Sequence, residues 1–82
     1  MKLAMDTRAI EELQRALRTD SSYSLTYYNL ACVYARGGDS TIAAQYLQQA
    51  IALEPQARTW ARTDADFTPV RMAPAVQQLL GP

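Results

Sequence analysis

The chain has 82 residues, of which 49% are hydrophobic and 20% are charged, with eight basic and eight acidic side chains. This length allows at most one domain. A net charge of zero without any basic run argues against a nucleic-acid or anionic-membrane partner. A single cysteine, Cys32, excludes an internal disulfide, and no apolar segment is long enough for a secretion signal or a membrane span. These features predict a soluble, cytoplasmic protein.

The first predicted element is an amphipathic helix over residues 6–19, with Asp6 or Thr7 as its N-cap. Its apolar residues form one stripe at helical spacing. They are Ala9, Ile10, Leu13, Ala16 and Leu17.

A second helix is predicted from Ser24 to Arg36, and it is apolar on two sides, which is typical of a helix with neighbours on both. Gly37 and Gly38 end it, because glycine accepts the left-handed backbone of a helix C-terminus. Asp39 or Ser40 then caps a third helix, which extends to Leu53 before Pro55.

The rest of the chain is predicted as a short fourth helix over residues 56–63, a turn over residues 64–69, and a last short helix. Pro74 suits the first turn of that helix, and Gly81 closes it. No strand pattern occurs in the sequence, so the predicted fold class is all-α.

One stretch carries a spaced set of aromatic, small and large apolar residues. The set is Tyr27, Leu30, Ala31, Tyr34, Ala43, Leu47, Ala50 and Pro55. This pattern resembles the tetratricopeptide repeat, a helix–turn–helix unit of about 34 residues, and the resemblance covers residues 24–57. It implies a fold of about five helices, with antiparallel helix pairs arranged in a right-handed superhelix, and a function in binding proteins.

The flanking segments are interpreted from the same resemblance. The first helix matches the second half of a preceding repeat, and residues 58–82 look like the capping helices that close many bacterial arrays of this family. The whole chain, residues 1–82, is thus expected to form one domain with an open N-terminal end. Either the chain self-associates as a homo-oligomer, through Ile10, Leu13 and Leu17 at this end or through the face with Leu25 and Tyr28, or it is the end of a longer array in a sensor or enzyme.

In this family, ligands lie in a groove formed by the first helix of each repeat. The resemblance therefore implies a peptide- or protein-binding groove lined by Leu25, Tyr28, Asn29, Cys32 and Arg36. The alternative for Tyr28 and Cys32 is packing against the helix that carries Trp60. For Arg36 the alternative is a solvated charge at the helix end.

Catalysis is not expected from these residues. The chain has no histidine, which excludes catalytic triads with an imidazole base and histidine-ligated metals. Asp64 and Asp66 lie in a turn-forming stretch, where helix capping is favoured over acid–base chemistry. The sequence predicts no enzyme, no catalytic or metal site and no cofactor, and a protein or peptide as partner.

Overall fold

A computed structural model of the chain describes residues 7–81, and within that range it contains helices and no strand. The elements are α1 (Thr7–Thr19), α2 (Ser24–Arg36), α3 (Ser40–Leu53), α4 (Ala57–Thr63), a 3-10 helix (Ala65–Val70) and α5 (Pro74–Leu80). The predicted all-α fold class is confirmed. Of the two caps predicted for the first helix, Asp6 lies outside the described residues.

The turn between α2 and α3 follows directly from its local sequence. Gly38 adopts a left-handed backbone with φ of 82°. Its N–H donates to the carbonyl of Ala35, and the N–H of Asp39 donates to the carbonyl of Tyr34, both at 3.0 Å, which is the Schellman pattern of a helix end. The Asp39 carboxylate then accepts a hydrogen bond from the N–H of Ile42 at 3.1 Å and caps α3, as predicted.

This tight turn sets α2 and α3 side by side as an antiparallel pair, and this pair has the most extensive helix contact in the fold. Small residues at the interface allow the two helices to approach closely. Ala31, Ala43 and Ala50 are completely buried, as are the larger Leu30 and Leu47 beside them. All five belong to the spaced set of apolar residues that carries the repeat pattern in the sequence.

The C-terminal segment folds back over the α2–α3 pair. The 3-10 helix packs against α2, whereas α5 packs against α3, and α4 contacts α3 and α5. The turn predicted over residues 64–69 was wrong in detail, because these residues form most of the 3-10 helix. The Asp64 carboxylate caps this helix by accepting from the N–H of Asp66, while the N–H of Phe67 donates to the Asp64 carbonyl.

The first helix is the most weakly covered element. α1 makes its main contact with α2, and none of its residues is buried. Leu17 packs against the core from the edge. The remaining sides of α1 are therefore open among the described residues.

Candidate functional site

Two of the residues predicted to line a groove, Tyr28 and Cys32, lie in the core of the structure. Their exposed fractions are 7% and 6%. The Tyr28 hydroxyl donates a hydrogen bond to Oδ2 of Asp64 at 2.8 Å, and the Cys32 thiol donates to the same oxygen at 3.7 Å. Both side chains are thus bound to the C-terminal segment and do not line an open surface.

Aromatic packing completes this contact. The ring of Tyr28 meets Trp60 edge to face with centroids 5.3 Å apart, and it lies 5.9 Å from the ring of Phe67. Such pairs add to the stabilisation from burial. The packing of Tyr28 beside Trp60, which the sequence offered as the alternative to a groove, is what the structure contains.

The protonation states follow from the same geometry. Burial raises the pKa of the Cys32 thiol to about 12, and burial together with Asp64 raises the pKa of the Tyr28 hydroxyl. Burial opposes ionisation of Asp64, but hydrogen bonds from Asp66, Tyr28 and Cys32 outweigh it and hold the Asp64 pKa below its ordinary value. At neutral pH an ionised carboxylate therefore receives two neutral donors, and Cys32 is not an activated nucleophile.

The same cluster contains three atoms that metals commonly bind. The thiol of Cys32 and the carboxylates of Asp64 and Asp66 offer ligand atoms within 4.8 Å of one another. Each group already has a protein partner, since Asp66 forms an ion pair with Arg36 at 2.9 Å and the other two are joined to each other. This cluster is explained as the attachment of the 3-10 helix to α2.

The other three predicted groove residues remain at the surface of α2. Leu25 is 38% exposed, and Asn29 is also exposed. Arg36 is exposed but forms an ion pair with Asp66, so it is not a purely solvated charge. Binding of a peptide by these three residues stays a prediction.

The second predicted surface, on α1, has a different status. Ile10, Leu13 and Leu17 are all partly exposed. A shift of 34 residues along the chain relates Leu13 and Ala16 in α1 to Leu47 and Ala50 in α3. The α3 pair is completely buried, whereas Leu13 is partly exposed and Ala16 is exposed. The same apolar positions are covered in α3 and open in α1.

Beside this open stripe lies a surface depression of about 430 Å³ between α1 and the start of α2. Its lining residues are Glu12, Arg15, Ala16, Thr19, Asp20, Tyr23 and Thr26. Tyr23 is 55% exposed and stands just before α2. Sequence reasoning missed Tyr23, because it belongs to no helical stripe; an aromatic residue directly after the polar Asp20-Ser21-Ser22 turn was the available signal.

Comparison with known proteins adds one match. A family model described as Tetratricopeptide repeat matches residues 24–57, the same range that the sequence pattern predicted. No curated protein and no solved structure gives a significant match. Among the described residues, every helix is too short or too polar to cross a lipid bilayer.

Proposed function

We propose that the chain binds a protein or peptide through the open side of α1. Residues 24–57 match the tetratricopeptide repeat, a type of repeat that generally serves in protein interaction. The surface consists of the stripe with Ile10, Leu13 and Ala16, and of the adjoining depression with Tyr23. We refer to it as the α1 surface. In this proposal residues 58–81 act as a cap that closes the other end of the repeat.

The observation that carries this proposal is the contrast between α1 and α3. Repeat units bury their apolar faces against neighbouring units and cannot do so alone. Leu47 and Ala50 follow this rule, but Leu13 and Ala16, at the same positions of the preceding half repeat, do not. A partner that covers Leu13 and Ala16 would remove this apolar area from water, at roughly 25 cal/mol per Å².

The test compares two exposed alanines on two helices. Ala16→Arg places a long charged side chain in the α1 surface, and Ala52→Arg makes the same change on α3, outside that surface. Both positions are exposed, so both variants are expected to keep the helical circular dichroism of the parent chain. We expect proteins captured from an extract of the source cells to be lost with Ala16→Arg and retained with Ala52→Arg.

The control for the predicted groove is Asn29→Ala on α2. Loss of the captured proteins with Asn29→Ala, and not with Ala16→Arg, would assign binding to α2 and contradict the proposal.

Self-association is the second candidate for the same surface. Three partly exposed apolar residues on one helix, Ile10, Leu13 and Leu17, favour it. Sedimentation equilibrium separates the two candidates: a mass that stays at the 9.1 kDa of one chain at high concentration eliminates self-association. A larger mass that Ala16→Arg reduces to one chain would establish it.

A further inference from the structure

The contact between α2 and α3 shows what kind of element fits a surface shaped like α1. α3 presents the small residues Ala43 and Ala50 on either side of Leu47, and all three are completely buried; α2, its main contact, carries the completely buried Leu30 and Ala31. Near one end of this contact, the rings of Tyr34 and Tyr46 stack with centroids 5.8 Å apart. An antiparallel helix with a stripe of large residues around one small residue therefore complements this shape.

α1 repeats most of this shape. A shift of 34 residues, the length of the matched segment 24–57, aligns Leu13 with Leu47 and Ala16 with Ala50. Ala16 leaves the same space for a large partner side chain that Ala50 leaves in α3. A helix is therefore expected to fit α1 better than an extended strand, because the element that packs against the corresponding side of α3 is the helix α2.

The charge of the surface differs at one informative position. The same shift aligns Glu12 with Tyr46, whose ring stacks on that of Tyr34 in the α2–α3 pair. Within residues 7–81, Glu12 forms an ion pair with Arg8 at 3.9 Å, and both side chains are largely exposed, so this pair contributes little. A partner helix would therefore be expected to place a lysine or arginine where α2 places Tyr34.

A second copy of the chain is a poor source of such a helix within residues 7–81. Its α2 stripe is already buried against its own α3, and its α5 contains no charged residue. Its α1 presents the same small–large–small pattern as the surface itself, with Ala9, Leu13 and Ala16, and is therefore not its complement. A helix of complementary shape must therefore come from outside residues 7–81 of this chain.

We propose that the α1 surface binds an amphipathic helix of a partner protein, antiparallel to α1, with a large–small–large apolar stripe and a basic residue opposite Glu12. This inference rests on the proposed function and specifies its partner. The bound helix would complete the half repeat formed by α1, as α2 completes the pair with α3.

The probe for the test comes from the chain itself. A peptide with the sequence of residues 24–36, with Cys32→Ser and a side-chain cross-link on its outer side to hold it helical, reproduces the α2 stripe. A second peptide adds Tyr34→Lys. Titration followed by fluorescence anisotropy is expected to show that the lysine peptide binds the chain roughly two- to five-fold more tightly than the tyrosine peptide.

A charge exchange localises the contact. The Glu12→Lys chain should lose its preference for the lysine peptide and prefer a peptide with Tyr34→Glu. Ala16→Arg should weaken binding of the lysine peptide about ten-fold or more, because it overfills the contact, while Ala52→Arg should leave binding unchanged.

Three results would overturn the inference. They are no peptide binding up to millimolar concentration, peptide binding that Ala16→Arg does not affect, and a dimer that Ala16→Arg dissociates. Failure here is distinguishable from failure of the proposed function: protein capture that depends on Ala16 without peptide binding would leave the proposed function standing, with a partner that is not such a helix. Capture that is independent of Ala16 would remove both.

Discussion

Asp64 is the residue at which α2 and the C-terminal segment are joined. Its carboxylate accepts hydrogen bonds from the Tyr28 hydroxyl, the Cys32 thiol and the N–H of Asp66. Because these donors favour the ionised form, the pKa of Asp64 lies below its ordinary value in the folded chain. The ionised carboxylate therefore stabilises the folded state above about pH 4, and this contribution is lost as the pH falls through the lowered pKa.

The variant Asp64→Asn tests this role at the level of one residue. It keeps the shape but removes the charge, so we expect the free energy of unfolding at pH 7 to fall by about 1–2 kcal/mol. The difference from the parent chain should shrink at pH 3, because this pH lies below the ordinary pKa of an aspartate in the unfolded chain, about 3.9. Urea denaturation at both pH values measures this, with Asp66→Asn as the control, because its partly exposed ion pair with Arg36 should contribute about 1 kcal/mol or less. An equal effect of both variants, or no change with pH, would contradict the assignment.

At the scale of elements, local signals predicted the helices well. Gly38, Asp39 and Pro74 lie at the positions that their residue types favour, which are a helix end, an N-cap and a first helical turn. The 3-10 helix was not predicted, because its formation depends on the Asp64 cap and on burial of Phe67 rather than on a helical stripe. The sequence left open whether Tyr28 lies in a groove or in the core, for a related reason. Its partner Asp64 lies 36 residues away, and periodicity carries no information on such contacts.

The two glycines between α2 and α3 give a matched pair for testing how this connection is encoded. Gly38 has φ of 82°, where a side chain is strained, but no atom lies within 4 Å of the place its Cβ would take. Gly38→Ala should therefore lower the free energy of unfolding by about 1–2 kcal/mol through the backbone alone. Gly37 has φ of −79°, so Gly37→Ala should be neutral or slightly stabilising. Thermal denaturation of both variants measures the difference in stability. Equal losses of stability would show that the left-handed backbone of Gly38 is not the reason why glycine is needed in this turn.

For the whole molecule, burial is distributed unevenly from one end to the other. Phe67 and Val76 are completely buried where the C-terminal segment covers α2 and α3, whereas α1 has no buried residue. The C-terminal segment is thus part of the core, and a partner that displaced it would have to expose Phe67 to water. This cost explains why we assign binding to α1 rather than to the covered face of α2, although the family resemblance alone pointed to α2.

The same asymmetry predicts how the free and bound molecules differ in hydrogen exchange. Amides of α1 should exchange faster than those of α2 and α3, because α1 has no buried residue and makes its main contact with α2 alone. Saturation with the lysine-substituted helical peptide should slow exchange in α1 and leave α4 and α5 unchanged, since a ligand protects the state that it binds. Native-state exchange with mass-spectrometric detection of α1 fragments measures both effects, and Ala16→Arg is the control that should abolish only the second. Exchange in α1 as slow as in α3 before any addition would mean that α1 is already covered, and the surface proposed for partner binding would then be closed.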